Sequence, residues 1–358
     1  MRLVDLEQVR DAARLLEGVV SRTPLERSRV LSEEAGGEIF LKCENLQRTG
    51  AFKIRGAYTR IAGLSEDERS RGVVAASAGN HAQGVALAAS LLGVKSTVFM
   101  PEGASLPKVE ATARYGAKVA LEGSIYDEAY AAAVAFAEQS GAVMVHPFDH
   151  PDIIAGQGTV ALEILDQLSD VATIIVPVGG GGLISGIAAA AKGARSDIRI
   201  IGVEPEGSPN VTRALEAGHP VELQTISTIA DGLATKWAGE LTLAHIRSLV
   251  DEVVTVSDDE IARALLVVTE RAKLVVEPAG AAGVAALVSG RGRIDIDFPA
   301  VVVLSGGNID PLLLLRVIRF GMGSAGRYFW FRTRVADRPG QLHRLLGVMA
   351  EAGANVVG

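Results

Sequence analysis

Short β-branched runs alternate with alanine-rich stretches along most of the chain. GVVAAS precedes NHAQGVALAASLL, STVFM precedes LPKVEATARYG, and AKVALEG precedes IYDEAYAAAVAFAEQS. The second half repeats the pattern with ATIIVPV before LISGIAAAAKGA, then IRIIGVEP, then PAVVVLSGG. Continuous apolar runs of this length read as strands buried on both faces, and each helix-length stretch supplies the crossover that a parallel pair requires. The pattern predicts an α/β protein with two open twisted parallel-sheet lobes. The first break in composition is GMGSAG, and residues 321–327 read as a linker. Beyond it, YFWFRTRVADRPGQLHRLLGVMAEAGANVVG reads as an aromatic strand, a turn at Asp337 to Gly340, a helix and the opening of another strand. Those pieces are too few to enclose a core alone.

Length and charge narrow the function classes. A chain of 358 residues exceeds what one hydrophobic core usually organises. A net charge of -7 gives no electrostatic reason to approach nucleic acid or anionic lipid. The single cysteine, Cys43, cannot form an internal disulfide, and the amphipathic start MRLVDLEQVRDAARLLEG lacks the basic-then-apolar order of a secretory signal. A cytoplasmic protein is expected. The apolar stretch at 174–191 has the length of a membrane span. However, it contains four adjacent glycines and Pro177. Each interior glycine costs a helix roughly 1 kcal/mol and proline about 3 kcal/mol.

Candidate chemistry sits at the ends of the strands. Gly179 to Gly182 follow TIIVPV and open a small-residue helix, so their N–H groups are placed to converge on an anion; a tight turn or a hinge is the alternative. Lys53 lies between Phe52 and Ile54. A lysine in apolar surroundings tends to lose its proton, and the neutral amine can attack an aldehyde to form a Schiff base. The competing reading is a snorkelling side chain. The turn SAGNHAQG carries Ser77, Asn80 and His81, either a ligand loop or a capped helix start. In SGGN, Ser305 follows the strand AVVVL, at the sheet edge where open α/β folds bind ligands, although serine before a turn is often only a turn residue.

Taken in order, AFKIRGA, SAGNHAQG, IAGQGT, VPVGGGG, ADG and SGGN resemble the threonine dehydratase and serine racemase group of fold-type II pyridoxal-phosphate enzymes, from about residue 5 to 320. The resemblance implies a tryptophan synthase β-like fold. Residues 1–74 and 151–320 would form the large cofactor-binding domain and 75–150 the small one. It also implies that Lys53 bonds pyridoxal 5'-phosphate, Phe52 packs on its ring and Asn80 hydrogen-bonds its phenolic oxygen. Gly179, Gly180, Gly181, Gly182 and Leu183 would hold the phosphate, Gly232 would cover the other ring face, and Ser305 would meet the pyridine nitrogen. Ser77, Asn80 and His81 would hold the carboxylate of a small amino-acid substrate. The implied reaction is dehydration and deamination of L-threonine, and of L-serine, to 2-oxobutanoate or pyruvate and ammonia, in a homodimer or homotetramer.

Two departures bear on this. Ala51 replaces the serine usual before the Phe-Lys pair, and Ala78 stands where racemases carry a serine as second base. A methyl group cannot return a proton, so racemisation is the weaker reading. A cofactor-loaded amino-acid sensor with decayed catalysis is the reading from another class. Related enzymes bind a monovalent or divalent cation through positions matching Glu204, Ser208 and Asn210, although Asn210 replaces a carboxylate that would suit magnesium better. The tail, with its DRPG turn, resembles the beginning of an ACT domain, a ferredoxin-like module that senses amino acids. The resemblance implies an effector such as isoleucine or valine, with a generic strand-turn-helix fragment as the alternative.

Overall fold

The computed structural model describes residues 2–288 and 294–355. Each of the six strand-like runs forms a strand, and four others join them. In chain order they are β1 (Leu25–Arg27), β2 (Ile39–Lys42), β3 (Val73–Ala76), β4 (Ser96–Met100), β5 (Lys118–Leu121), β6 (Val143–Met144), β7 (Thr173–Pro177), β8 (Arg199–Pro205), β9 (Glu252–Val256) and β10 (Ala300–Val303). They build a six-stranded sheet ordered β1-β2-β10-β7-β8-β9 and a four-stranded sheet ordered β5-β4-β3-β6. All pairs are parallel except β1 with β2, which departs from the expected all-parallel lobes at the edge of the larger sheet.

Burial on both faces explains the unbroken apolar runs. On β10, Val301 and Val303 join Ile174, Val176 and Ile200 in one core. The alternate residues Ala300 and Val302 join Ile175, Ile201 and Val203 in the core of the opposite face. The smaller sheet does the same, with Val73 and Ala75 on one side and Val74 and Ala76 on the other. Such alternation fixes register, because a one-residue slip would exchange the two cores.

One group of buried charges anchors the helix Lys53–Ala62, which begins at the candidate lysine. Arg55 donates through Nε and Nη2 to the two carboxylate oxygens of Glu44, both at 2.8 Å, and lies 2.7 Å from Glu163 through Nη1. Lys42 lies 2.5 Å from the other oxygen of Glu163. Two cations facing two carboxylates let β2 and the helices at 53 and 151 share a dry contact.

Three expectations need correction. The boundary placed at residue 74 falls inside β3, whose ladder with β4 runs unbroken from Val73 to Ala76. The helix Pro311–Ser324 runs through the first residues read as linker, where Gly321 packs against Ala262. The aromatic strand after Tyr328 is not formed, because no other described strand pairs with it and its backbone stays solvated, with Phe329 83% exposed. The helix of that tail is present at Gln341–Glu351, and the expected last strand lies largely outside the described residues.

Candidate active site

The two sheets face each other across a cavity of about 440 Å³. Lys53, Asn80, the glycines 179–182 and Ser305 all line it, brought there from the start of the helix at Lys53 and from the ends of β3, β7 and β10. The SGGN loop joins the lysine segment directly: Phe52 N donates to Ser305 O at 3.2 Å, and Ala51 bridges Gly306.

Lys53 is half-buried, with Nζ donating to Pro147 O at 2.9 Å and lying 5.1 Å from the Phe52 ring centroid. Burial lowers its pKa from 10.5 to about 8, opposed by the carboxylate of Glu277. An amine so placed reaches its neutral, nucleophilic form far more readily than an exposed lysine.

The glycine turn is held from behind. Asn210 Nδ2 donates to Gly179 O at 3.2 Å, and Thr242 Oγ1 donates to Gly180 O at 2.8 Å. In a trans peptide the following N–H points opposite the carbonyl, so these two bonds turn the N–H groups of Gly180 and Gly181 the other way. The buried N–H groups of Gly179, Gly180 and Gly181 have no acceptor among the described residues. Buried orphans of this kind are rare, and three in sequence before a helix N-terminus suit the oxygens of a phosphate. No larger residue fits: Gly181 has φ of 91°, and a Cβ on Gly180 would lie 2.3 Å from the Phe148 ring. Leu183 follows in the first helical turn, nearly buried, and Gly232 faces the cavity from the neighbouring loop.

The asparagine turn differs from a simple capped helix. Gly79 is the N-cap of the helix Asn80–Leu91 and makes no side-chain capping bond; Ser77 Oγ accepts from Gly79 N at 3.1 Å. Asn80 Nδ2 instead donates to Glu277 at 2.6 Å, and its Oδ1 accepts from Asn308 Nδ2 at 2.9 Å. His81 lines the cavity, but its Nε2–H donates to Val145 O at 2.8 Å and burial pushes its pKa down to about 3. It is therefore an uncharged neighbour of any bound carboxylate.

Sequence reasoning missed Glu277, Asn308, Phe148 and Thr242, and the charged rim. At that rim Lys108 pairs with Asp231 at 3.4 Å and Lys236 pairs with Asp127, each pair joining the small-sheet side to the large-sheet side. The only signal for Glu277 was a carboxylate placed before a helix-opening proline in VVEPAG.

Of the expected cation ligands, Glu204 is buried and already accepts from Val211 N, Thr212 N and Thr212 Oγ1 at 2.8, 2.8 and 2.7 Å. Ser208 Oγ donates to Thr235 O at 3.1 Å. Asn210 Oδ1 is buried without a hydrogen-bond partner. No cluster of three or more His, Cys, Asp or Glu arranged for a metal occurs among the described residues.

Comparison with known proteins decides the family. The profile described as "Pyridoxal-phosphate dependent enzyme" matches residues 16–306. This chain belongs to the pyridoxal-phosphate dependent enzyme family. Proteins similar to this family member include the L-threonine ammonia-lyase of Thermotoga maritima, 51% identical over 356 residues, covering 99% of this chain and 88% of that one. The structure of maize serine racemase superposes with a TM-score of 0.84 at 37% identity, covering 91% and 100% of the two chains. The processed form of threonine deaminase isoform 2 from Solanum lycopersicum does so with a TM-score of 0.83 at 37% identity, covering 88% and 87%. The three orphaned glycine N–H groups and the half-buried amine fit the family's cofactor at its two ends. No described helix is long and apolar enough to cross a membrane.

Proposed function

We propose that this pyridoxal-phosphate enzyme dehydrates and deaminates L-threonine, and L-serine, releasing the 2-oxo acid and ammonia. The observation that carries the reading is a single cavity in which an amine of lowered pKa and a row of glycine N–H donors face the same space. Homology to the L-threonine ammonia-lyases, at about half identity over nearly the whole chain, supports the choice of substrate.

When bound, pyridoxal phosphate supplies an electron sink for the substrate's α-carbon. The glycine turn and Leu183 would hold its phosphate, Phe52 and Gly232 would flank the ring, and Ser305 would meet the ring nitrogen as a neutral donor or acceptor. The turn at Ser77, Asn80 and His81 orients the substrate carboxylate, with His81 kept uncharged by burial. Lys53 Nζ would serve as the base that removes the substrate's α-proton; burial, which lowers its pKa to about 8, suits the amine to take and return a proton near neutrality. That proton and the β-hydroxyl leave together as water, and the released enamine, once tautomerised to the imine, takes up one water to give the 2-oxo acid and ammonia. Racemisation would need a second base on the opposite face, and the position where racemases carry a serine as that base is here Ala78, a cavity-lining methyl.

Incubation with L-threonine and L-serine in separate reactions, assayed together for 2-oxobutanoate, pyruvate and D-amino acid, tests the reading. Keto acid with little D-amino acid is expected. Predominant D-serine would replace the lyase by a racemase, and a cofactor-loaded protein that makes neither would replace it by an amino-acid sensor. Borohydride treatment followed by peptide mapping should place the cofactor on Lys53. The reading extends to self-association as a dimer or tetramer, checked by light scattering, and to an isoleucine or valine effector at the tail, checked by calorimetry.

A further inference from the structure

The Asn80 amide is held by a chain of hydrogen bonds whose two ends can only accept. At one end the carbonyl of Thr49 accepts from Asn308 Nδ2 at 2.6 Å, which fixes which side of Asn308 is the nitrogen. The other hydrogen of that nitrogen goes to Asn80 Oδ1 at 2.9 Å. At the far end the carboxylate of Glu277 accepts from Asn80 Nδ2 at 2.6 Å. Rotating the Asn80 amide by half a turn would set its oxygen against the carboxylate and its nitrogen against the Asn308 nitrogen. Acceptor would then face acceptor and donor face donor. In the fixed orientation Asn80 Nδ2 has one hydrogen left, and Asn80 lines the cavity.

We propose that Glu277 is a positioning residue that locks the Asn80 amide in the rotation presenting its remaining N–H to the phenolic oxygen of the cofactor. The inference rests on the reading of the cavity as a pyridoxal-phosphate site and adds the reason that Asn80 acts there as a donor. Glu277 is itself well anchored: its N–H donates to Gly306 O at 3.0 Å, and its carbonyl accepts from Ala281 N at 3.1 Å in the helix that Pro278 opens. The charged groups around it are Lys53 from the helix Lys53–Ala62, Lys108 from the helix Leu106–Arg114 and Asp231 from the loop at Asp231–Leu233. Burial raises its pKa to about 7, while the bond donated by Asn80 favours the ionised form, whose oxygens only accept.

The test is a double-mutant cycle read by the dissociation constant for pyridoxal phosphate, titrated by absorbance and fluorescence, with turnover not used. Glu277→Ala should weaken cofactor binding about tenfold, the scale of one well-placed hydrogen bond. Glu277→Gln, whose amide oxygen can still accept from Asn80, should stay within about threefold of wild type, and in an Asn80→Ala background Glu277→Ala should add nothing. Equal losses in both backgrounds, or a Gln variant as weak as the Ala variant, overturn the proposal. If Glu277→Ala fails to fold by calorimetry, Asn308→Ala removes the other restraint, and its loss should likewise vanish in the Asn80→Ala background; an additive loss again overturns the proposal. A wild-type protein that does not retain pyridoxal phosphate on Lys53 after borohydride treatment overturns the cofactor reading itself, an outcome separate from an additive cycle.

Discussion

Replacing Lys53 by Met should make the cofactor-free protein more stable while removing its point of attachment for the cofactor. At pH 7 the wild-type amine is protonated in both the folded and the unfolded chain, because its pKa falls only from 10.5 to about 8 on folding. That difference corresponds to about 3 kcal/mol spent keeping the charge in the cavity wall. Water in the open cavity softens the figure to about 2 kcal/mol. The Pro147 carbonyl, left without its 2.9 Å donor, offsets roughly 1 kcal/mol more. The expected net gain is on the order of 1 kcal/mol, or about 2 °C in melting temperature. Its pH dependence is the sharper signature. Between pH 8 and 10.5 the folded wild type binds fewer protons than the unfolded chain, so its stability rises across that window. The advantage of Met, which does not titrate, should therefore shrink as pH rises through 8 and be gone by 10.5. Urea unfolding of the two cofactor-free proteins at pH 7 and at pH 10.5 measures this. A Met variant no more stable at pH 7, or an advantage unchanged at the higher pH, would refute the argument.

Four other expectations follow from the same structure. Gly180→Ala drives a Cβ into the Phe148 ring, so cofactor affinity should fall at least tenfold by equilibrium titration while the apo fold survives. Arg55→Met strands the buried carboxylates of Glu44 and Glu163, and denaturant unfolding should show a loss of about 3–5 kcal/mol. His81 is buried neutral with its pKa lowered to about 3, so its contribution is complete above pH 6.5 and is lost as pH falls toward 3; His81→Gln should flatten the stability profile in that window. If Glu204, Ser208 and Asn210 hold a cation, added magnesium or potassium should raise the melting temperature of the wild type through the unpartnered Asn210 Oδ1, and Asn210→Ala should abolish the rise.

How much could be read from the sequence depended on whether the signal was local. Runs such as TIIVP and AVVV declare a strand buried on both faces by composition alone, and β7 and β10 lie where those runs are. β2 escaped notice because IFLK ends in a lysine, and only the fold shows that this lysine meets Glu163, 121 residues away. The aromatic run after Tyr328 shows the converse failure: strand-like residues formed no strand, since a ladder needs a second chain segment that composition cannot reveal. In the site, Lys53 and the glycine turn were legible because each carries its chemistry within a few residues. Glu277 and Asn308 were not, because their meaning comes from meeting Asn80 across 197 and 228 residues.

The two ion pairs at the rim bear on how molecules enter and leave. Lys108–Asp231 and Lys236–Asp127 are partly exposed, and contacts of that kind are worth about 0–1 kcal/mol each. Parting both demands no more than a couple of kcal/mol, within reach of ordinary thermal breathing. Concentrated salt, which screens such contacts, should therefore quicken the escape of bound molecules and leave the glycine turn deep inside untouched.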